Sequence, residues 1–176
     1  FRSSVYTGNK DNTYHVDKTD LAEQHGYQLL HIFENEWDDK IKREIWKSII
    51  KSKLGLSDRK IYARKCIMKE LSPIEARSFF ETNHLSGFVG ASNHIGLFFN
   101  NELVSAISYG QSRFDKTETE LYRFASILNT QVVGGLGKLL KQIPTEKLIS
   151  FADRRISGMD SVYLKFFAYR KTLPPR

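Results

Sequence analysis

His15 and Lys18 stand one helical turn apart, so an imidazole that can move a proton and an ammonium that can hold charge can face one phosphate. Glu34 and Glu36 occupy alternate positions at the end of the apolar run Tyr27–Phe33; on a strand they share a face, and paired carboxylates suit a hard divalent cation. Plainer readings exist for all four. His15 also reads as a surface cap contact, Lys18 as a solvated charge, and the two glutamates as an acidic cluster that favours the dipole of a following helix. Further along, His84 follows a helix and can move a proton, Arg123 lies within an apolar strand and must meet an anion, and Asp153 closes a strand and can orient either. The alternative for the last two is a buried Arg123–Asp153 ion pair that only fixes the fold. Val132–Leu140, VVGGLGKLL, carries Gly134, Gly135 and Gly137: a backbone cradle for phosphates, or a tight turn with close helix-to-strand packing.

The stretch Leu148–Phe167, LISFADRRISGMDSVYLKFF, organises the elements that position these groups. Leu148–Ala152 reads as a buried strand ending on Asp153, Arg154 and Arg155; after Gly158, Val162, Tyr163, Phe166 and Phe167 fall at helical spacing. The preceding segment repeats the pattern, with Leu121–Ile127 as strand, the glycine loop, and Lys138–Ile143 as helix. Two strand–loop–helix units in succession predict an α/β layer with function at the strand ends.

Earlier in the chain, Ser3–Thr13 reads as a polar loop, Tyr14–His25 as a helix stopped by Gly26, and Tyr27–Phe33 as a buried strand. From Asp38 a second helix lines up Ile41, Ile45, Ile49 and Leu54. Lys60–Glu70 reads as one strand opening a second lobe. Ser72, Pro73 and Glu75 form a helix start with a capping serine, and the helix runs to about Thr82. Ile95–Phe99 and Leu103–Tyr109 flank Asn100–Asn101 as an antiparallel hairpin.

The 176 residues carry 27 Lys and Arg against 20 Asp and Glu, a net charge of +7. Through Lys60 the count is 11 basic and 10 acidic, and from Ile61 onward 16 and 10, so the surplus sits in the second part and favours a polyanion such as DNA or RNA. A modest positive charge also serves plain solubility. Cys66 is the only cysteine, which excludes an intrachain disulfide and a CxxC knuckle and suits a reducing interior. No apolar run approaches the roughly 20 residues of a membrane helix. The opening on Phe1 and the ending at Pro174, Pro175 and Arg176 suggest a piece cut at both ends.

From Ile61 onward the order strand, helix, hairpin, strand, helix, strand, helix resembles the GNAT acyltransferase fold, in which a glycine loop binds the pyrophosphate of acyl-CoA. Asn83-His84, Glu120-Leu121-x-Arg123, Phe151-Ala152-Asp153, Gly158 and Tyr163 resemble the succession of the Mom DNA-modification protein and its GNAT-like relatives. That resemblance implies a cleft lined by His84, Arg123, Asp153 and Tyr163. His15-x-x-Lys18-Thr19, Gly26 and Leu30-x-Ile32-Phe33-Glu34-x-Glu36-Trp37 resemble the second half of the nuclease core of phage homing endonucleases related to very-short-patch repair (Vsr) endonucleases. There the acid-bearing strand and a Trp-His-Ser segment come first; here Phe1-Arg2-Ser3-Ser4 stands at that place, with arginine for histidine.

Together these imply an α/β (α+β) protein: residues 1–57 the remnant of a Vsr/restriction-endonuclease-like core, and 58–176 a GNAT-like, Mom-like mixed sheet with flanking helices. The implied activity is that of a phage-type homing endonuclease acting on double-stranded DNA in the cytoplasm of a bacterial host. Mg²⁺ would sit on Glu34, with His15, Lys18 and Glu36 catalytic. Arg64, Lys65, Arg154 and Arg155 would contact phosphate, and Gly134, Gly135 and Gly137 would meet acyl-CoA if that cofactor binds. Two alternatives stay open: a GNAT-like base-modification enzyme, and a DNA-recognition module without catalysis.

Overall fold

A computed structural model describes residues 14–158 and 161–173. The Phe1-Arg2-Ser3-Ser4 opening, the Ser3–Thr13 loop, residues 159–160 and the last three residues lie outside the described residues. The chain divides into two compact units, Phe1–His31 with Ala152–Arg176, and Ile32–Phe151.

In the first unit, helix α1 (Tyr14–Gln24) ends where Gly26 takes φ +77° and the Tyr27 N–H bonds back to the Ala22 carbonyl at 2.9 Å. Arg154 clamps the outer side of α1, giving its Nη2 to Asp20 at 2.6 Å and to Glu23 at 2.9 Å, two carboxylates one turn apart. Gln28 Nε2 donates to the Ile156 carbonyl at 2.8 Å. Tyr27–Phe33 forms no strand, where a buried strand was expected. Tyr27 is 72% exposed, and no strand among the described residues pairs with the run. The helix expected after Gly158 is, within the described residues, a 3₁₀ turn, Val162–Lys165.

The second unit opens with the short helix α2 (Glu34–Asp38) and the longer α3 (Lys40–Lys53), which starts where the Asp39 carboxylate accepts from the Ile41 and Lys42 N–H groups at 2.9 Å each. Of the stripe read from the sequence, Ile45 is buried beside Trp46, whereas Ile41 and Leu54 are exposed. Lys60–Glu70 is two strands and not one: β1 (Arg59–Tyr62) and β2 (Ile67–Glu70) are separated by a 3₁₀ turn, Ala63–Lys65. The break arises because the two halves have different partners. Helix α4 (Pro73–Asn83), the hairpin β3 (Asn93–Phe99) and β4 (Glu102–Gln111), and β5 (Thr119–Ser126) follow as expected. Asn100 and Asn101 supply the hairpin's positive φ angles, 50° and 65°. Then come β6 (Thr130–Val133), which the sequence reading missed, α5 (Gly135–Leu140) and β7 (Leu148–Ser150).

β1 pairs with β6 in parallel, while β2-β3-β4-β5-β7 form a five-stranded sheet that is antiparallel except for the last, parallel pair. β7 is half-buried and not fully buried as expected, because it is an edge strand with three paired residues. Helix α4 covers one face of the sheet, where Phe79 and Phe80 pack over Leu71, Ala106 and Ala125. Helix α5 covers the other, since a Cβ on Gly135 would lie 3.7 Å from the hydroxyl of Ser105, whose side chain alternates with Ala106. The expected boundary at 57/58 falls inside this unit. Across it, the Asn129 N–H donates to the Ser48 hydroxyl at 2.8 Å and ties α3 to the turn after β5.

The α4 start carries the full capping box: Ser72 Oγ accepts from the Glu75 N–H, and the Glu75 carboxylate accepts from the Ser72 N–H at 2.8 Å. Ser72→Ala is expected to cost about 1 kcal/mol, read as a lower urea midpoint at unchanged slope.

Candidate functional site

Two places in the Ile32–Phe151 unit bring polar groups together. The first is a basic ridge on β1 and the turn that follows it. Tyr62 is 41% exposed, and its ring centroid lies 5.9 Å from Lys60 Nζ and 5.2 Å from the Arg64 guanidinium carbon. Strand alternation puts Lys60 and Tyr62 on one side, and the 3₁₀ turn brings Arg64 over the same ring, with Lys65 exposed next to it. The turn is held from below: Ala63 and Cys66 are buried, and Lys138 Nζ donates to their carbonyls at 3.0 and 2.7 Å. Burial pushes the Cys66 thiol pKa up, so it stays a packed thiol. Arg59 is committed to Glu102 at 2.5 Å, whereas among the described residues Lys60, Arg64 and Lys65 have no carboxylate partner. An exposed aromatic flanked by unneutralised cations suits a nucleic-acid backbone and its sugars or bases.

The second place is a polar row on the α4 face of the sheet. His94, Ser108 and Arg123 lie directly opposite one another on β3, β4 and β5. A bulge makes this possible. Ser108 pairs with Arg123 but Tyr109 with Leu121, so Tyr122 is the extra residue that switches Arg123 to the α4 face while Leu121 stays on the α5 face. His94 is 5% exposed, with Nδ1 2.7 Å from Ser108 Oγ, and its Nε2 has no hydrogen-bond partner. A stranded buried donor of this kind costs about 1–3 kcal/mol. Burial pushes the His94 pKa down from its ordinary value, favouring the neutral ring.

Arg123 donates from Nε to the Gly87 carbonyl at 3.0 Å and from Nη1 to the Tyr122 carbonyl at 2.9 Å. Its pKa is pulled down, first by burial and then by the nearby Arg113 cation, with Glu120 opposing. Glu120, 1% exposed, is already answered by Arg113, which gives it Nη2 at 2.6 Å, Nε at 3.4 Å and its backbone N–H at 3.2 Å. Arg123 is therefore a half-buried cation that faces carbonyl groups and no carboxylate of its own among the described residues.

The chain matches no protein-family model, no curated protein and no solved structure.

Of the residues singled out in the sequence, His84 and Arg123 meet the same loop. His84 ends α4 and accepts at Nδ1 from the Ser86 N–H at 3.1 Å, its carbonyl accepts from the Gly87 N–H at 2.8 Å, and Arg123 holds the Gly87 carbonyl. Asp153 and Tyr163 belong to the other compact unit. Within that unit Asp153 takes Arg155 Nη2 at 2.8 Å and Nε at 2.9 Å. Crowding raises the Tyr163 phenol to about 12 although part of its side chain stays in solvent. Arg154 and Arg155, expected to meet phosphate, are both bound to carboxylates.

Among the expected nuclease groups, His15 and Lys18 stay on exposed positions of α1. Lys18 lies 4.5 Å from the Tyr14 ring centroid, and the His15 ring lies edge-on to His31 at 5.2 Å. His31 Nε2 is 2.8 Å from the buried Thr19 hydroxyl, and its pKa is lowered chiefly by burial, then by His15 and Lys18. Glu34 and Glu36 are in the other unit and do not share a face. They sit two apart on helix α2, where such positions diverge, with Glu34 exposed and Glu36 buried against Trp46, whose Nε1 donates to it at 3.2 Å. No group of three or more His, Cys, Asp or Glu among the described residues is arranged to hold a metal, so Glu34 by itself does not make a Mg²⁺ donor set.

The glycines have local tasks. Gly134 takes φ +77°, and a Cβ on Gly135 would come within 3.0 Å of Val132 Cγ1. They shape the entry to a helix of six residues, and Lys138 beside them is committed to the turn below β1. His94, Ser108 and Arg113 were not singled out in the sequence, and Glu120 stood in a motif without a role of its own. The available signal was a polar residue on the inward phase of a strand, His94 before Gly96 and Ser108 after Ala106. No helix among the described residues is long and apolar enough to cross a membrane.

Proposed function

We propose that this chain binds double-stranded DNA and serves as the recognition part of a phage-type homing endonuclease. The observation that carries the reading is the ridge, with two cations against one exposed tyrosine and a third next to it, none neutralised by a carboxylate among the described residues. The basic surplus after Ile61 points the same way. Mg²⁺-dependent hydrolysis of a phosphodiester bond remains the activity proposed for the parent protein, and no step of it is assigned to Glu34 or Glu36. Anisotropy titrations of a mixed-sequence duplex over a range of salt test the reading. Lys60→Ala/Arg64→Ala/Lys65→Ala should weaken binding evenly across sequences and flatten the log–log salt slope by up to about 3, near 0.9 per lost phosphate contact. A triple variant with an unchanged slope would sink it.

The second reading, a GNAT-like module that modifies bases, is favoured by the sheet. Four antiparallel strands end in a parallel β5–β7 pair, a bulge lies in β5, and His84 and Arg123 converge on one loop. A change in nucleoside mass of treated DNA that disappears with Arg123→Gln would support it over pure recognition.

A further inference from the structure

We propose that the His94–Ser108–Arg123 row, with the Gly87–Phe88 loop above it, is a binding site for a small free oxyanion, a phosphate or carboxylate. The inference does not rest on DNA binding, since none of these residues belongs to the ridge.

The argument begins with the proton on His94. Ser108 is fully buried and its hydroxyl has His94 Nδ1 as its hydrogen-bond partner at 2.7 Å. If Nδ1 carried the proton, the serine O–H would be left without an acceptor and Nε2 without a donor. When the serine donates to Nδ1, a single group stays unanswered, and it is Nε2–H. The buried imidazole therefore presents an N–H that needs an oxygen.

Arg123 and His94 meet adjacent residues of the loop above them. Arg123 Nε holds the Gly87 carbonyl at 3.0 Å, and the ring of the next residue, Phe88, lies 5.5 Å from the His94 ring, tilted by 33°. Two adjacent loop residues thus touch the two ends of the row. The loop is fixed on its other side as well, with the Phe88 N–H donating to the Glu81 carboxylate at 3.4 Å and the Arg77 guanidinium 4.5 Å from the Phe88 ring centroid.

Water could answer the imidazole N–H, but it would not neutralise Arg123, and Glu120, the carboxylate whose charge acts on Arg123, is already matched by Arg113. An oxyanion answers both needs, since it accepts hydrogen bonds and carries the missing charge. His94 is 5% exposed, so the backbone of a duplex cannot reach its ring and a ligand there must be small.

The test follows the His94 ring by long-range ¹H–¹⁵N correlation in the full chain during titration with inorganic phosphate, with acetate, or with chloride at matched ionic strength. Phosphate or acetate should move the Nε2 resonance saturably and raise the melting temperature, with the folding equilibrium shifted about elevenfold at ten times Kd. The anion acting at the lower concentration identifies the source. Arg123→Gln should weaken the response at least tenfold, and Arg123→Lys should restore part of it. His94→Gln should abolish the thermal shift, and if that protein does not fold, the ring resonance in Arg123→Gln decides alone. The proposal is overturned if neither anion moves Nε2, if chloride does so equally, if Arg123→Gln responds like the parent, or if only duplex DNA produces the shift.

Discussion

Trp46→Ala should lower the stability of the Ile32–Phe151 unit by about 3–5 kcal/mol, more than any other single substitution considered. Trp46 is completely buried on α3, the largest side chain with no exposed surface, and its loss leaves a large cavity. The same change removes the indole N–H that donates to Glu36 at 3.2 Å. Trp46→Phe separates the two effects, since it keeps most of the volume and deletes the donor, for an expected cost of about 1–3 kcal/mol. Urea unfolding at constant slope measures both. A loss below about 1 kcal/mol for the alanine variant would mean that α3 is not docked through Trp46. The outcome also bears on Glu36. A carboxylate that serves the fold shows its loss in stability, so Glu36→Gln should lower the unfolding midpoint and leave Mg²⁺ binding unchanged.

Arg113→Ala is expected to cost about 3 kcal/mol, at the low end for breaking a buried ion pair, because the Arg113 side chain is itself 57% exposed. The cost comes from Glu120. At 1% exposure its carboxylate cannot turn to water, and the variant takes away two of the three N–H groups it receives from Arg113. Glu120→Met in the Arg113→Ala background should recover part of the loss by replacing the stranded carboxylate with an apolar chain of similar length. Equilibrium unfolding of the two single variants and the double gives the coupling, expected between about 0.5 and 3 kcal/mol. Strictly additive losses would show that the pair does not act as a unit. This pair also keeps Glu120 from neutralising Arg123, so the double variant bears on the oxyanion site as well as on the fold.

Local chemistry made much of the second unit legible. Ser72, Pro73 and Glu75 start α4 because capping is settled by neighbours in sequence, and Asn100–Asn101 turn the hairpin because asparagine tolerates positive φ. Gly26 stops α1 for the same kind of reason. Arg123, a cation in an apolar strand, was expected to meet an anion; among the described residues it lies half-buried against the Gly87 and Tyr122 carbonyls instead.

Pairing and burial, by contrast, depend on partners far away in sequence. The Tyr27–Phe33 run has the composition of a strand but pairs with no strand among the described residues, and Lys60–Glu70 breaks in two because one half pairs with β6 and the other with β3. Glu34 and Glu36 would share a face on a strand; on a helix they point apart, and a tryptophan ten residues on takes one of them into the core. The His94–Ser108–Arg123 row was out of reach of sequence reading for a sharper reason. A single bulged residue, Tyr122, sets which face Arg123 joins, and shifting the phase of a strand by one residue exchanges its two faces. The sequence by itself determined the turns, the caps and the charge balance, all of which are short-range or additive. Only the tertiary structure decided which polar groups meet, because that depends on strand register, and register is a property of pairs of strands.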